Sequence, residues 1–395
     1  MTIRLYTFQI IWLLLTVFET TVLAENTSPT NCIAECNQIE MVVNNNNKFA
    51  LELYEQLKTD DNLFFSPYSI STVMAMVYSG AKGNTASQMA QVLHFPNQQI
   101  HKDFYLLQQQ INNPQANLKL QIDNLFCGQQ GYYFLTDFKT NLKKFYQIEL
   151  QEIDFATDYK KIHHEINTWV ESKTKIKNLL KPGIINQFTR LMLINTIYFK
   201  GQWINKFNPS TPSKFWLTTK DSIKVPMMKQ KGYFSYTSDQ IAQIIELPYM
   251  GKISMLIILP KQNFAKVERL LSIRLNKWLR SLHTQKVTVY LPKFKINKNF
   301  ELSQSLSTMG MKNAFNNEAD FSGIDRTEEL YLSAVVHQAF IEVNEEGTEA
   351  SAATGAIFNT RGMIPKFKAD HPFIFLIRHN PSNSILFMGK VVNPS

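Results

Sequence analysis

The chain has 395 residues, a formal net charge of +9, 44% hydrophobic and 12% aromatic residues, and three cysteines. So few cysteines exclude a small scaffold stapled by disulfides, and the apolar fraction is large enough to supply a core instead. Glycine is scarce, at 14 residues, and no Pro- or Gly-rich linker divides the chain, which predicts one large domain.

The first 24 residues have the pattern of a secretory signal peptide. Arg4 gives a positive start, residues 10–18 (IIWLLLTVF) are apolar, and Val22-Leu23-Ala24 forms a small-residue cleavage site. The apolar run is too short to span a bilayer, and no later segment is long enough to replace it. We therefore expect a secreted, extracellular, monomeric protein without a membrane partner, whose single domain covers residues 25–395.

The start of the mature chain, residues 25–47, is expected to be irregular. Its sequon Asn26-Thr27-Ser28 makes Asn26 the candidate glycosylation site. Cys32 and Cys36 favour a peripheral bridge, with Cys127 as a free thiol, although the pairing stays open. A C-x3-C spacing without nearby histidines is poor evidence for zinc, so no metal site is predicted.

Helical and strand-like patterns then alternate without a regular βαβ order. Apolar residues at helical spacing predict a helix in KFALELYEQLK from Lys48, and Ser66-Pro67 predicts the start of another helix after a buried Phe64-Phe65 strand. Further helices are expected at 161–174 and 264–282. Strand-like runs recur at 119–126, 191–203, 253–260, 286–296, 333–343, 371–379 and 384–392. This mixed order predicts an α+β fold with large, partly antiparallel sheets.

Positive charge is concentrated in residues 261–298, which hold ten basic side chains and one acid, Glu268. The cluster includes Lys266, Arg269, Arg274, Lys277 and Arg280 on one predicted helix. Because the protein is expected to be exported, a heparin-like sulfated polysaccharide is a better partner for this cluster than nucleic acid. The alternative is a helix face that is simply solvated.

Motifs for catalysis or cofactor binding are absent from the sequence. It contains no G-x-S-x-G elbow, Walker loop or dinucleotide fingerprint, so neither an enzyme nor a cofactor is expected. The adjacent His163 and His164 point about 100 degrees apart on a helix and cannot easily share a metal ion. His337 lies in an apolar strand and is expected to be a buried, hydrogen-bonded histidine, with Ser66 and Asn195 as candidate partners.

The stretch NEEGTEASAATGAIFNTRGM, residues 344–363, has the composition of a linker but is followed by too few residues for another domain. Written as a strand, it places Thr348, Ala350, Ala352, Thr354, Ala356 and Phe358 on one small, largely apolar face. Such a face fits into a packed sheet without clashes. The segment is thus predicted to be a loop that is able to become a strand.

The chain resembles the serpins, a family of serine protease inhibitors, over residues 40–395. The resemblance is carried by motifs in the same order: NLFFSPYSI (62–70), LINTIYFKGQW (193–203), AVVHQAFIEVNEEGTEA (334–350), FKADHPFIFLIRHN (367–380) and MGKV near the end. It implies three β-sheets, eight or nine helices and an exposed reactive-centre loop near the C-terminus.

The resemblance also implies roles for individual residues. The hinge of the loop corresponds to Glu345, Glu346, Gly347, Thr348, Glu349, Ala350, Ser351 and Ala352. Counting seventeen residues from Glu345 places the cleaved bond at Arg361–Gly362, which implies a trypsin-like protease held in a covalent complex. Ser66, Asn195 and His337 match a polar cluster beneath the sheet opening, Trp203 matches the residue over the point where insertion begins, and Lys293 with Glu345 matches a salt bridge there.

Two other functions stay open at this point. A non-inhibitory serpin acting as a carrier or chaperone is the first, although the small residues of GTEASAAT are unlike the bulky, charged or proline-bearing hinges of such members. A hydrolase is the second. Incubation with trypsin distinguishes the three functions. A detergent-resistant complex indicates an inhibitor, cleavage without a complex indicates a non-inhibitory serpin, and ester turnover indicates a hydrolase.

Overall fold

The computed structural model describes residues 29–96, 99–111, 118–174, 179–326, 329–346 and 364–395. The chain divides into two compact units, Met1–Asn37 and Gln38–Ser395. Of the first unit only the start of helix α1 is described. All packing below concerns the second unit.

Nine α-helices lie within the described residues. They are α1 (Pro29–Leu57), α2 (Pro67–Tyr78), α3 (Gly83–Leu93), α4 (Ile100–Ile111), α5 (Thr136–Asn141), α6 (Phe155–Thr174), α7 (Phe264–Arg280), α8 (Ser303–Met309) and α9 (Ser322–Asp325). A π-helical turn, Leu142–Tyr146, continues α5, and a 3₁₀ turn covers Asn313–Phe315.

The strands of the first half are β1 (Leu63–Phe65), β2 (Leu118–Gln129), β3 (Leu150–Ile153), β4 (Leu191–Gly201), β5 (Asn208–Trp216), β6 (Ser222–Ser238) and β7 (Ala242–Pro248). Those of the second half are β8 (Ile253–Pro260), β9 (His283–Pro292), β10 (Phe294–Glu301), β11 (Ala334–Val343), β12 (Lys366–Lys368), β13 (Phe373–His379) and β14 (Ser384–Val391).

From Pro29 onward, where the described residues begin, helix α1 contradicts the expectation that residues 25–47 are irregular. The helix runs without a break through the asparagine run, because Ile39, Val42, Val43, Asn46 and Phe49 recur at helical spacing and are buried. Asn47 is also tied to the end of the chain: its Oδ1 accepts from Ile385 N–H at 2.8 Å and its Nδ2 donates to Asn383 O at 3.0 Å. These long-range contacts outweigh the weak helix propensity of asparagine.

The predicted helix start at Ser66-Pro67 is confirmed. Ser66 is the N-cap of α2, its Oγ accepts from Ser69 N–H at 3.1 Å, and proline occupies the first turn. All twelve residues of α2 are buried, so this helix lies inside the molecule. Beside it, Phe64 of β1 stacks on Phe387 of β14 with ring centroids 5.1 Å apart. The core therefore contains both a helix and a strand pair.

Nine strands form one hydrogen-bonded sheet, in the order β1-β14-β13-β8-β7-β6-β9-β12, with β5 also paired to β6. Strand β6 is 17 residues long and belongs to two regions: its start pairs with β5 and its end with β7. The two regions together with the separate five-stranded sheet correspond to the expected three sheets and confirm the mixed α+β fold.

The five-stranded sheet has the order β10-β11-β4-β2-β3. Strand β11 is antiparallel to β10, and β4 is antiparallel to β2, but β11 and β4 are parallel to each other. Their register runs from Ala334 opposite Met192 to Ile341 opposite Phe199. This parallel pair, here called the β11–β4 junction, is where the predicted site residues lie.

Among the described residues, no helix combines the length and the apolarity that crossing a membrane requires.

Candidate functional site

The directions of β11 and β4 allow the chain that follows β11 to pair with both of them. A chain that leaves β11 after Val343 and turns back runs antiparallel to β11, and because β4 is parallel to β11 it also runs antiparallel to β4. Insertion would thus replace one parallel pairing by two antiparallel ones, which are slightly more stable per residue. The segment with the strand-compatible face, residues 348–358, follows directly in sequence.

The end of the junction where β11 finishes is closed by Trp203. Its indole is 2% exposed, stacks on Tyr249 at 4.0 Å between ring centroids, and packs edge-on against Phe207 at 5.6 Å. Its Nε1 donates to Asn344 O at 2.9 Å. The tryptophan therefore holds the backbone at the point where the chain leaves β11.

An ion pair lies beside this tryptophan. Glu345 Oε2 is 2.8 Å from Lys293 Nζ, and Glu345 Oε1 accepts from Ser210 N–H at 3.1 Å. Burial raises the pKa of Glu345, but the hydrogen bonds from Lys293 and Ser210 outweigh it, so that the pKa is lowered to about 2. The carboxylate is thus charged at neutral pH and joins the chain after β11 to the strands around it.

A buried polar cluster crosses the middle of the junction. It lies in one row of paired residues that runs across β2, β4, β11 and β10: Asn124 is opposite Asn195, Asn195 is opposite His337, and His337 is opposite Phe300. The row faces the start of α2. Asn195 Nδ2 donates to Asn124 Oδ1 and to Ser69 Oγ, both at 2.5 Å, and Ser66 Oγ donates to Leu386 O at 2.7 Å.

His337 is the centre of this cluster and is neutral. Its Nε2 accepts the N–H of Ser66 at 3.1 Å, so the ring proton must be on Nδ1, which donates to Asn195 Oδ1 at 2.6 Å. The side chain is fully buried, and burial lowers the pKa of His337 to about 3. Because His337 and Asn195 lie opposite each other across the junction, a strand inserted at their register must break their hydrogen bond.

The structure thus brings together five of the predicted site residues, in two groups: Ser66, Asn195 and His337 in the middle of the junction, and Trp203 and Lys293 at its end. The hinge residues Glu345 and Glu346 are described, and Glu346 Oε2 is 3.8 Å from Lys200 Nζ. The remaining predicted residues lie outside the part of the chain that the structure describes. They are the hinge residues Gly347, Thr348, Glu349, Ala350, Ser351 and Ala352, the reactive bond Arg361–Gly362, Asn26, and the side chains of Cys32 and Cys36.

Three residues of the site were missed by the sequence analysis: Asn124, Ser69 and Tyr249. Asn124 lies in the predicted strand DNLFC, where a polar residue among apolar ones was the available signal. Ser69 lies inside the motif NLFFSPYSI, but its place in the cluster depends on Asn195, and that of Tyr249 depends on Trp203; both partners are more than forty positions away in the chain. Of the other flagged residues, Cys127 is a buried free thiol, and burial raises its pKa to about 12.

The basic residues of α7 lie on the helix as expected. Val267, Leu271, Leu275 and Trp278 form its buried face. Lys266, Arg269, Lys277 and Arg280 are exposed, and Arg274 is half-buried and interacts electrostatically with Asp239. Four cations therefore reach solvent from one helix.

Comparison with known proteins identifies the class. The sequence matches the family model described as Serpin (serine protease inhibitor) over residues 44–394. It is 40% identical to the leukocyte elastase inhibitor of Bos taurus over 88% of this chain and 98% of that protein, and 41% identical to serpin B6 of Pongo abelii over 90% of this chain and 100% of that protein. The structure matches uncleaved ovalbumin with a TM-score of 0.83 and 32% identity, over 89% of this chain and 100% of ovalbumin.

The chain belongs to the serpin family and is a serpin-type protease inhibitor. Serpins inhibit serine proteases through covalent complexes. The family predicted from the ordered motifs is therefore confirmed, together with its fold.

The predicted secreted, extracellular localisation is wrong. Leukocyte elastase inhibitor and serpin B6 belong to the intracellular clade B of the family. The expectation rested on the positive start at Arg4, a short apolar run and a small-residue site, which are compositional signals only. The arguments that disfavoured nucleic acid and favoured Asn26 glycosylation depended on export and lose their premise with it.

Proposed function

We propose that the protein inhibits trypsin-like serine proteases as a suicide substrate, with cleavage at Arg361–Gly362. The observation that carries the proposal is the parallel β11–β4 junction, since its strands are directed so that the chain following β11 can pair with both of them. The small face of residues 348–358 supplies a strand that fits there.

The proposed target class follows from the arginine. Trypsin-like proteases have a carboxylate at the bottom of the specificity pocket, and a guanidinium pairs with a carboxylate through two parallel hydrogen bonds. The protease serine attacks the Arg361 carbonyl carbon, the bond to Gly362 N breaks, and Gly362 leaves with its new amino terminus. The acyl-enzyme then keeps the protease attached to the end of the freed segment.

Trapping requires that the segment insert before water releases the protease. Insertion separates β11 from β4, so it breaks the His337–Asn195 hydrogen bond and the contacts around Trp203 and Glu345. It forms one additional ladder of backbone hydrogen bonds, each worth about 1 kcal/mol net. The intact protein is thus held short of its most stable state by a kinetic barrier, is consumed in one reaction and is not an enzyme.

Incubation with trypsin tests this proposal. The expected product is a complex that survives boiling in detergent, together with a released fragment that begins at Gly362. Arg361→Ala should form no complex with trypsin, whereas the matched control Arg280→Ala on α7 should behave as the unmodified protein. Cleavage without a complex would instead favour a non-inhibitory carrier or chaperone, and ester turnover would favour an enzyme.

The names of the relatives supply one further arm of the test. Several of them are inhibitors of leukocyte elastase, so elastase should be assayed in parallel. A complex with elastase and none with trypsin would move the reactive bond away from Arg361.

We also propose that the exposed cations of α7 bind a heparin-like polyanion; the proposal now rests on their charge alone, because the argument from export no longer applies. The support is the absence of carboxylate ion pairs at Lys266, Arg269, Lys277 and Arg280 among the described residues. Elution from a heparin column above physiological salt is expected, and elution below it removes the proposal.

A further inference from the structure

One face of the strands β6, β9 and β12 carries lysines and tyrosines in register. The pairing places Lys229 opposite Tyr290, Lys231 opposite Thr288 and Tyr233 opposite Lys286. Strand β12 continues two of these rows, with Lys366 beside Thr288 and Lys368 beside Tyr290. We call this surface the lysine–tyrosine face, formed by Lys229, Lys231, Tyr233, Lys286, Tyr290, Lys366 and Lys368.

The alternation of burial shows that these side chains share the outer side of the sheet. All five lysines are exposed and Tyr233 is 45% exposed, whereas the alternate residues Gln230, Val289 and Phe367 are buried. Lys286 Nζ lies 5.9 Å from the centre of the Tyr233 ring, and Lys229 Nζ lies 5.6 Å from that of Tyr290. The face is therefore a preformed surface of five lysines, two of which lie over tyrosine rings.

The positive charge of the face is mostly uncompensated. Lys368 Nζ is 2.9 Å from Asp370 Oδ2. The other four lysines have no carboxylate within ion-pair distance among the described residues. Four lysines within rows spaced about 5 Å apart across strands create a local positive potential that attracts an acidic partner.

The position of β12 in the sequence decides which partner meets this face. Only four residues separate Arg361 from Lys366, so the centre of the Arg361–Gly362 bond is at most about 16 Å from Lys366 along a fully extended chain. A protein interface of ordinary size covers roughly 800 Å² per partner, which corresponds to a radius of about 16 Å around its centre. A protease centred on the Arg361–Gly362 bond therefore reaches the β12 edge of the face.

We propose that the lysine–tyrosine face is a secondary docking site for the target protease and that this protease presents an acidic surface beside its active site. The inference rests on the proposed function, since it requires the protease to engage the bond at Arg361. Lysines on the rim of an interface accelerate encounter, and tyrosines supply contact area at low entropic cost. The face thus selects among proteases that share a preference for arginine.

Anionic and cationic trypsin provide the test, because both cleave after arginine but carry opposite net charge. The association rate constant is measured with each at about 20 mM and 1 M salt. We expect anionic trypsin to react faster at low salt, with the advantage lost at 1 M, where the screening length is about 3 Å.

The triple variant Lys229→Glu/Lys231→Glu/Lys366→Glu should slow anionic trypsin about tenfold at low salt and leave cationic trypsin unslowed. Lys82→Glu/Lys181→Glu/Lys312→Glu is the matched control: it changes the net charge equally, at exposed lysines outside β6, β9 and β12. The number of inhibitor molecules consumed per protease should stay constant in both variants, which shows that loop insertion is intact.

Equal rates for the two triple variants with anionic trypsin would overturn the docking site while leaving the inhibitor function in place. If neither trypsin forms a complex with the unmodified protein, the proposed function fails and the docking site fails with it. Binding of a single-stranded oligonucleotide to the protein is measured as well. If the three lysine replacements abolish oligonucleotide binding but leave the trypsin rates unchanged, the face binds nucleic acid, and the proposal is overturned.

Discussion

Replacing His337 with glutamine tests whether the buried cluster holds the β11–β4 junction closed. Glutamine is able to accept from Ser66 N–H and donate to Asn195, as the histidine does, but it does not titrate. The variant therefore preserves the hydrogen-bonding pattern and removes only the ability to take up a proton.

The magnitude follows from the pKa of His337, which burial lowers from 6.5 to about 3. Between these values the unfolded chain binds a proton that the native protein excludes, so stability falls as the pH falls from 6.5 towards 3. At 1.36 kcal/mol per pKa unit, the loss from this residue is about 2 kcal/mol at pH 5 and about 5 kcal/mol near pH 3. Protonation also removes the acceptor for Ser66 N–H and so favours opening of the junction.

The assay follows uptake of a synthetic peptide with the sequence of residues 348–358 into the intact protein at pH 7 and pH 5. A loss of 2 kcal/mol corresponds to at most about a 30-fold increase in the rate of uptake at pH 5 in the unmodified protein. His337→Gln should show little of this acceleration. His379→Gln is the control, because burial also lowers the pKa of His379, to about 4, but this residue lies in β13, outside the junction.

Equal acceleration in the unmodified protein and in His337→Gln would refute the reasoning, because the junction would then respond to another titrating group. Urea unfolding at both pH values checks that the variant is folded. In the same experiment, the stability of His337→Gln should depend less on pH than that of the unmodified protein. His379→Gln should show a similar reduction.

Three further predictions concern charge and the hinge. Glu345→Gln should lower the free energy of unfolding, measured by urea unfolding at pH 7, by about 1 kcal/mol, because it removes the partly exposed ion pair with Lys293. Since the pKa of Glu345 is lowered to about 2, this difference in stability from the unmodified protein should disappear as the pH falls from 4.5 towards 2. Lys390→Met should cost about 3–5 kcal/mol, because it leaves the largely buried Glu268 carboxylate without its cation. Adding Glu268→Gln, which is neutral and keeps an oxygen that accepts from the Tyr54 hydroxyl, should recover most of that loss; no recovery would contradict the argument. Thr348→Arg should convert the inhibitor into a substrate, cleaved by trypsin without a stable complex, because its charge would have to enter the sheet; an unchanged yield of complex would count against strand insertion.

Local pattern was sufficient for much of the fold. Helix α2 was predictable because its cap and proline act on their own first turn, and most strands were predictable because their apolar runs depend only on neighbouring residues. The part of α1 from Lys48 was predicted for the same reason. The part before Lys48 was not, since asparagines are poor helix formers and Asn47 is stabilised by Asn383 and Ile385 at the far end of the chain.

The sequence by itself determined the family, the segment able to become a strand, and the arginine proposed to choose the protease, because each is a property of contiguous residues. Only the tertiary structure decided that β11 and β4 run parallel, that His337 is neutral between Ser66 and Asn195, and that lysines from β6, β9 and β12 share one face. These features depend on strand register between residues far apart in the chain. A shift of one position moves a side chain to the opposite face, and the packing of the whole core fixes that register.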